Sequence, residues 1–221
     1  MPPLSIDTLI TKNVEISSNG INLSGIINQS EDSIGIGALV LHPHPVYGGD
    51  MENRVVLAMV TTLLNCGYTT LRFNFRGTTS TSQDFSGVGG AVNDVKNAVA
   101  FLLSGDVSSF GIIGYSFGGS VALRYSTEIS PRFLITLSAS YGLLSEAGFD
   151  TNRLSKIHCP TLMFHGKADS VVPFTDAELI ADLIGYKDLE RVLLDGEGHF
   201  YLRSLDRVSM KIDEFLHKHE F

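Results

Sequence analysis

Apolar residues follow two spacings along the chain, one typical of strands and one typical of helices. Continuous apolar runs, of which residues 36–41 form the clearest, indicate strands that are buried on both faces, as parallel strands usually are. Between these runs, apolar residues recur at helical spacing, and the first such segment ends before Gly67. The pattern predicts strands at residues 36–41, 68–75, 110–115, 133–138, 161–164 and 189–194, and helices at 51–66, 91–103, 117–127, 175–184 and 202–215.

The segment before the first buried run has a different pattern. Residues 13–29 alternate between apolar and polar positions around an Asn-Gly turn, which predicts a β-hairpin. Strands that alternate with helices form βαβ crossovers, so the remaining chain predicts a mostly parallel sheet with helices on both faces. With the hairpin, this is an α/β fold with about eight strands and a Gly/Ser/Thr-rich loop at 78–90. We expect residues 1–221 to form a single domain, because no linker or repeat divides them.

Composition excludes several classes of protein. At 221 residues and 43% hydrophobic positions, the chain has enough apolar side chains for a folded core. A formal net charge of −8 argues against binding to nucleic acid or to an anionic membrane. No apolar run has membrane-spanning length, no secretory signal is visible, and the two cysteines do not make a disulfide framework. We therefore expect a cytoplasmic protein; its oligomeric state stays open.

One short motif indicates a nucleophilic residue. The pentapeptide Gly-Tyr-Ser-Phe-Gly at 114–118 stands between a predicted strand and a predicted helix, the context in which a Gly-x-Ser-x-Gly turn presents a nucleophilic serine. Ser116 would then project from a strained turn, and side chains at 114 or 118 would collide with the neighbouring strand and helix. The helix N-terminus behind Ser116 would direct N–H groups at a developing oxyanion. The alternative is a glycine-rich turn in which the serine only caps the helix.

A serine nucleophile needs a base and a group that orients the base. Asp169 follows the predicted strand at 161–164, and His199 follows the strand at 189–194. The chain order Ser116, Asp169, His199 is the one expected after such a turn, and all three positions lie at carboxyl ends of strands. Taken singly, Asp169 could be a turn residue and His199 an exposed loop histidine. Their joint order and placement favour a Ser-His-Asp triad.

Several motifs together resemble a known family. They are Leu-His-Pro-His-Pro-Val-Tyr-Gly-Gly at 41–49, Leu-Arg-Phe-Asn-Phe-Arg-Gly at 71–77, the Ser116 pentapeptide, and the loops that carry Asp169 and His199. In this order they resemble the small lidless branch of the α/β-hydrolase superfamily, near the dienelactone hydrolases and esterases, over about residues 13–217. The resemblance implies an α/β-hydrolase fold. Residues 141–154 are too few for a cap domain, so we expect an open site.

The resemblance also implies an oxyanion hole. Its first donor would be the Phe117 N–H, and its second would come from the loop after the strand at 36–41. The prolines at 43 and 45 have no N–H to donate, which leaves His44, Val46 or Tyr47; the superfamily pattern favours His44. The His-x-His spacing at 42–44 could instead bind a metal, but no third ligand of suitable spacing is visible, so we expect no metal and no cofactor. A simpler role for His42 is to hydrogen-bond within the loop.

These assignments predict a serine hydrolase that cleaves small carboxylic esters through an acyl-enzyme. The expected partner is a small-molecule ester, with no nucleic acid and no membrane. A peptidase, a thioesterase, an acyltransferase and a non-catalytic binding protein of the same fold remain alternatives. Arg72 and Arg76 could be paired with carbonyl or carboxylate groups inside the fold, or could bind a substrate carboxylate.

Overall fold

The computed structural model describes residues 9–78 and 85–219. The part of the predicted loop at 78–90 that comprises residues 79–84 lies outside these ranges. One sheet of eight strands runs through the described residues, in the order β1-β2-β4-β3-β5-β6-β7-β8. The strands are β1 Leu9–Ser18, β2 Ile21–Ser30, β3 Ile36–Leu41, β4 Thr69–Phe73, β5 Ser109–Tyr115, β6 Leu134–Leu137, β7 Thr161–Gly166 and β8 Leu189–Leu194.

The sheet is antiparallel at one edge and parallel elsewhere. β1 and β2 form the predicted hairpin, and β2 also pairs antiparallel with β4. All pairings from β4 through β3 to β8 are parallel, so the carboxyl ends of these strands meet at one edge of the sheet. This edge is where open α/β sheets build their sites. The mostly parallel sheet of about eight strands that the sequence predicts is confirmed.

Helices cover both faces of the sheet. One core packs α1 and α6 against the sheet, and the other packs α2, α3 and α5 against the opposite face. Along β3, Ala38 and Val40 point into the first core while Leu39 and Leu41 point into the second, which is why this run is continuously apolar. The helices are α1 Arg54–Asn65, α2 Gly87–Leu103, α3 Phe117–Ser126, α4 Tyr141–Leu144, α5 Thr175–Ile184 and α6 Leu205–Lys218.

Three predicted helix starts were wrong, each for a local reason. α1 begins three residues late because the Asn53 side chain accepts a hydrogen bond from the Val55 N–H at 2.9 Å and caps the helix there. α2 begins at Gly87, before the predicted start, because Val88 and Ala91 pack into the core and offset the low helix propensity of the glycines in the first turn. α6 begins at Leu205 because the Ser204 backbone, with φ −120° and ψ 11°, is not helical, and Glu197 holds the preceding loop through the N–H groups of Leu202 and Arg203.

The connection between β6 and β7 is the place where a lid would be inserted. It contains only α4 and two short 3-10 helices, Glu146–Gly148 and Thr151–Lys156. The structure therefore agrees with the predicted lack of a cap domain at this position. Among the helices that the structure describes, none has both the length and the apolar character needed to cross a bilayer.

Candidate active site

Ser116 lies at the turn between β5 and α3. Its backbone has φ 55° and ψ −115°, a conformation that residues other than glycine seldom adopt. Gly114 and Gly118 permit the close approach of strand and helix at this turn. A Cβ on Gly114 would overlap the Gly118 carbonyl group, and a Cβ on Gly118 would lie 2.5 Å from Leu41 O. These contacts confirm the prediction that side chains at the two glycine positions would collide with their surroundings.

Three side chains from different strand ends meet at this turn. His199 Nε2 lies 3.0 Å from Ser116 Oγ, and His199 Nδ1 lies 2.7 Å from Asp169 Oδ2. A carboxylate can only accept, so the imidazole proton is on Nδ1 and Nε2 accepts from the serine hydroxyl. Strands β7 and β8 are parallel neighbours, and their ends bring Asp169 and His199 together. The structure thus brings together all three residues that the sequence places at strand ends.

The Asp169 carboxylate is fully buried and accepts hydrogen bonds at both oxygens. Oδ1 accepts from the N–H groups of Val171 and Val172 at 2.9 and 2.8 Å, and Oδ2 accepts from His199. Burial alone would raise the pKa of this carboxyl. Hydrogen bonds from His165, His199 and the Val172 N–H outweigh burial and hold the pKa below its usual range. The group therefore stays a carboxylate at neutral pH and keeps its orientation toward His199.

His165 is a contact of Asp169 that the sequence analysis did not identify. Its ring is completely buried at the end of β7, and its Nε2 lies 3.0 Å from Val172 O and 3.5 Å from Asp169 Oδ2. Both neighbours are acceptors, so Nε2 carries the proton. Its Nδ1 is buried with no hydrogen-bond partner among the described residues. The available signal in the sequence was a histidine inside an otherwise apolar strand, four positions before the candidate aspartate.

The loop that carries His199 is held by its own side chains. Buried Glu197 accepts from the N–H groups of Gly198 and Leu202 at Oε1 and from the Arg203 N–H at Oε2. Tyr115, at the end of β5, donates its hydroxyl to His199 O at 2.9 Å. The position of the imidazole is therefore fixed by its hydrogen bond to Asp169, by the loop that Glu197 holds and by the bond from Tyr115 to its backbone.

His42 fixes the loop that follows β3. The Phe75 N–H donates to His42 Nε2 at 3.0 Å, so the imidazole proton is on Nδ1, which donates to Pro43 O at 2.6 Å. Burial lowers the pKa of His42 to about 4, and the hydrogen bond to Pro43 opposes this only in part. The ring is neutral, and both of its nitrogens are engaged. The predicted role of His42 within the loop is confirmed, and this ring offers no free lone pair to a metal.

The three candidate oxyanion donors of this loop differ in whether their N–H groups already have an acceptor. The Val46 N–H donates to His44 Nδ1 at 3.3 Å, and the Tyr47 N–H donates to His44 O at 3.1 Å. The His44 N–H makes no hydrogen bond to any residue in 9–78 or 85–219. The Phe117 N–H begins α3 and likewise has no acceptor in the described chain. The rings of His44 and Phe117 are neighbours, with centroids 4.9 Å apart, so the loop after β3 packs against the start of α3 next to Ser116.

Comparison with known proteins identifies the family. The model of the dienelactone hydrolase family matches residues 57–210, which include Ser116, Asp169 and His199. This chain belongs to the dienelactone hydrolase family. The family match begins after the His-Pro-His-Pro loop at 42–45, so the resemblance drawn from that loop stays a prediction.

This member of the dienelactone hydrolase family is similar to proteins from several organisms. An uncharacterised protein of Rickettsia prowazekii is 29% identical over 81% of this chain and 77% of its own. A serine hydrolase without a lid from Xanthomonas campestris has a TM-score of 0.81 at 20% identity, covering 99% of this chain and 97% of its own. An esterase of Pyrococcus furiosus has a TM-score of 0.77 at 19% identity, covering 95% and 93%. At these identities the two solved structures establish the α/β-hydrolase fold.

The two arginines near the site are paired inside this dienelactone hydrolase family fold. Arg76 Nε donates to both oxygens of the buried Asp94 at 3.0 Å. Arg72 donates from Nη1 to Asn28 Oδ1 at 2.6 Å and from Nη2 to Glu52 Oε1 at 3.3 Å. Their partners support the structural interpretation of both arginines over a substrate-carboxylate role.

The neutral His42 makes the stability of this family member depend on pH. Unfolding restores the ordinary pKa of 6.5, whereas in the folded protein the pKa is about 4. The unfolded chain therefore binds more protons in this window, and acid favours unfolding. Between about pH 8 and pH 5 we expect His42 to remove about 2 kcal/mol from the free energy of unfolding. Urea unfolding at both pH values measures this loss.

The control is His42→Gln, whose amide oxygen can still accept the Phe75 N–H but cannot titrate. Its free energy of unfolding should fall about 2 kcal/mol less than that of the wild type over the same interval. The interval stops above the range in which Asp and Glu carboxyls titrate. Equal losses in both proteins would contradict the assignment of a buried neutral imidazole at this position.

Proposed function

We propose that this protein is a serine hydrolase that cleaves small carboxylic esters through an acyl-enzyme, with Ser116 as nucleophile, His199 as general base and Asp169 as the group that orients it. The observation that carries the proposal is the unbroken hydrogen-bond chain from Ser116 Oγ to His199 at 3.0 Å and on to Asp169 at 2.7 Å. Such a chain activates a hydroxyl that is otherwise a weak nucleophile.

Acylation begins at the serine hydroxyl. Ser116 Oγ attacks the ester carbonyl carbon while His199 Nε2 takes the hydroxyl proton. Asp169 stabilises the imidazolium that forms, and its charge is available because donors hold it as a carboxylate. When the tetrahedral intermediate collapses, the bond between carbon and the alcohol oxygen breaks. His199 gives its proton to that oxygen, the alcohol leaves, and the acyl group stays on Ser116.

The N–H groups of Phe117 and His44 are the proposed oxyanion hole. Both N–H groups are without acceptors in the described chain, whereas those of Val46 and Tyr47 are already used. Phe117 N–H also lies at the positive end of the α3 dipole. A well-placed donor of this kind stabilises a tetrahedral intermediate by about 2.7–4 kcal/mol. The lack of an acceptor supports the His44 N–H as the second oxyanion donor over those of Val46 and Tyr47.

Deacylation needs water at the same carbon. His199 takes a proton from water, the resulting hydroxide attacks the acyl-enzyme, and the proton passes to Ser116 Oγ as the acid leaves. The connection between β6 and β7 is too short to form a cap over the site, which is compatible with attack by water on the acyl-enzyme. The esterase from Pyrococcus furiosus, which shares the fold, is a further reason to begin with esters.

The test combines turnover with labelling of the nucleophile. We expect the wild type to hydrolyse p-nitrophenyl acetate and butyrate, and a fluorophosphonate probe to modify Ser116, as read by mass spectrometry of the labelled peptide. His199→Ala should lose both properties, because the hydroxyl then lacks its base. A wild type that neither turns over these esters nor reacts with the probe would favour a non-catalytic binding protein. Faster cleavage of matched thioesters or amides would redirect the substrate assignment and leave the mechanism unchanged.

A further inference from the structure

Exposed apolar side chains, here called the rim, occur on the loops that carry the candidate active site. Most large hydrophobic residues are buried, but a group of them is exposed on the three loops that follow β3, β7 and β8. These are the loops that carry His44, Asp169 and His199. Exposed apolar residues that share the loops of one site are more informative than residues scattered over the surface. The rim consists of Val46, Tyr47, Val171, Phe200 and Leu202.

Two aromatic members of the rim have defined contacts with the site. The Phe200 ring is 61% exposed and stands edge-on to the His199 ring, with centroids 5.6 Å apart. The Tyr47 ring is 86% exposed and lies 4.7 Å from the His44 ring. His44 in turn contacts Phe117, which follows Ser116. One exposed ring therefore lies next to His199, and the other lies next to His44.

The proposed reaction requires the carbonyl oxygen and the alcohol oxygen of the ester to face different residues of the site. The carbonyl oxygen must face the N–H groups of His44 and Phe117. The alcohol oxygen must receive a proton from His199 Nε2 as it leaves, so it must lie within hydrogen-bond reach of that atom. The carbon atoms attached to the alcohol oxygen then lie beside the imidazole, and the exposed ring of Phe200 is a direct neighbour of that imidazole.

We infer that Phe200 forms an alcohol-side subsite that selects esters with an aromatic or bulky apolar alcohol part, an inference that rests on the proposed function. A methyl or ethyl group is too short to reach a ring beyond His199. A benzyl group can stack on the ring or meet it edge-on and removes apolar surface of both partners from water. At ordinary transfer values this contact is worth about a fivefold to tenfold gain in kcat/KM.

The experiment compares two acetates that differ only in the alcohol. For benzyl acetate and methyl acetate, kcat/KM is measured on the wild type and on Phe200→Ala. We expect the variant to lose about fivefold to tenfold more with benzyl acetate than with methyl acetate. Comparing the two proteins for each ester cancels the different intrinsic reactivities of the alcohols. Phe200→Tyr, which keeps the ring, should restore the wild-type ratio.

Met210→Ala is the matched control. Met210 is 65% exposed, close to the value for Phe200, but it lies on α6, away from the loops that carry the site. Its removal should leave the ratio of the two kcat/KM values at the wild-type level. A thermal unfolding curve for each variant reports whether its fold is kept.

The outcomes separate the inference from the function on which it rests. Equal losses on both esters in Phe200→Ala, or no loss on either, overturn the alcohol-side subsite. Failure of the wild type to cleave benzyl acetate, although Ser116 reacts with a fluorophosphonate, also overturns it, because this ester belongs to the proposed substrate class. Ester cleavage that survives Ser116→Ala overturns the proposed function itself, whatever the ratio of the two substrates.

Discussion

Replacement of Ser116 with alanine is expected to lower kcat for ester hydrolysis roughly a millionfold, leaving about a thousandfold acceleration over water from binding and the oxyanion donors. The Ser116 side chain is linked to the rest of the triad by its hydroxyl, through the hydrogen bond to His199 Nε2. Its loss removes the covalent step and leaves the positions of His199 and Asp169 unchanged. Steady-state hydrolysis of p-nitrophenyl acetate, with active-site titration of the wild type, measures the effect.

The backbone at this position supplies the control. Ser116 has φ 55°, which strains any residue with a Cβ, so Ser116→Gly should be as inactive as the alanine variant but more stable by about 1 kcal/mol. A pair of inactive variants, of which one is stabilised, separates loss of the nucleophile from loss of the fold. Activity in either variant above about one hundredth of the wild-type rate would contradict the role of Ser116.

Asp169→Asn should lower kcat about ten-thousandfold. The Oδ1 position accepts two backbone N–H groups, from Val171 and Val172, so the amide oxygen of the variant must occupy it. The amide nitrogen then takes the Oδ2 position and points its hydrogens at His199 Nδ1. The imidazole proton is then forced onto Nε2. This nitrogen faces Ser116 and can no longer accept the hydroxyl proton. The same nitrogen would also confront His165 Nε2–H, 3.5 Å from Oδ2 in the wild type.

An exposed carboxylate nearby serves as the matched control for this substitution. Asp195 stands between β8 and His199, is 86% exposed at its side chain and pairs with Lys167 at 2.8 Å. Asp195→Asn removes a charge close to His199 without touching its hydrogen bonds, so kcat should stay within about a factor of two. If Asp169→Asn kept more than about a tenth of the wild-type kcat, tautomer control by Asp169 would be refuted.

The sequence is most informative where one physical requirement dominates a segment. Residues 36–41 must be apolar because β3 is buried on both faces, and the structure places β3 at these same residues. Helix α5 also has its predicted bounds, 175–184. The three candidate site residues could be found because parallel strands end at one edge of the sheet, so a residue just after each strand is brought near the others.

Other parts of the site depend on contacts between distant residues and could not be found this way. The hydroxyl of Tyr115 reaches His199 O across 84 positions of the chain, and no local pattern reports such a bond. The proposal of His44 as the second oxyanion donor depends on the acceptors of the Val46 and Tyr47 N–H groups, which no pattern in the sequence reveals. The start of α2 was missed because its first turn contains glycines, whose low helix propensity is overridden by packing.

The rim residues differ from the triad in how freely their side chains can be substituted during evolution. Within the rim, Val46 and Tyr47 donate N–H groups to His44, and Val171 donates one to Asp169, so each contributes only main-chain atoms to the hydrogen-bonded framework. Any residue other than proline that is compatible with the local backbone leaves those bonds in place. Under the proposed function, substrate preference is therefore evolvable independently of catalysis, and a library randomised at these three positions should yield altered specificity at little cost in the free energy of unfolding.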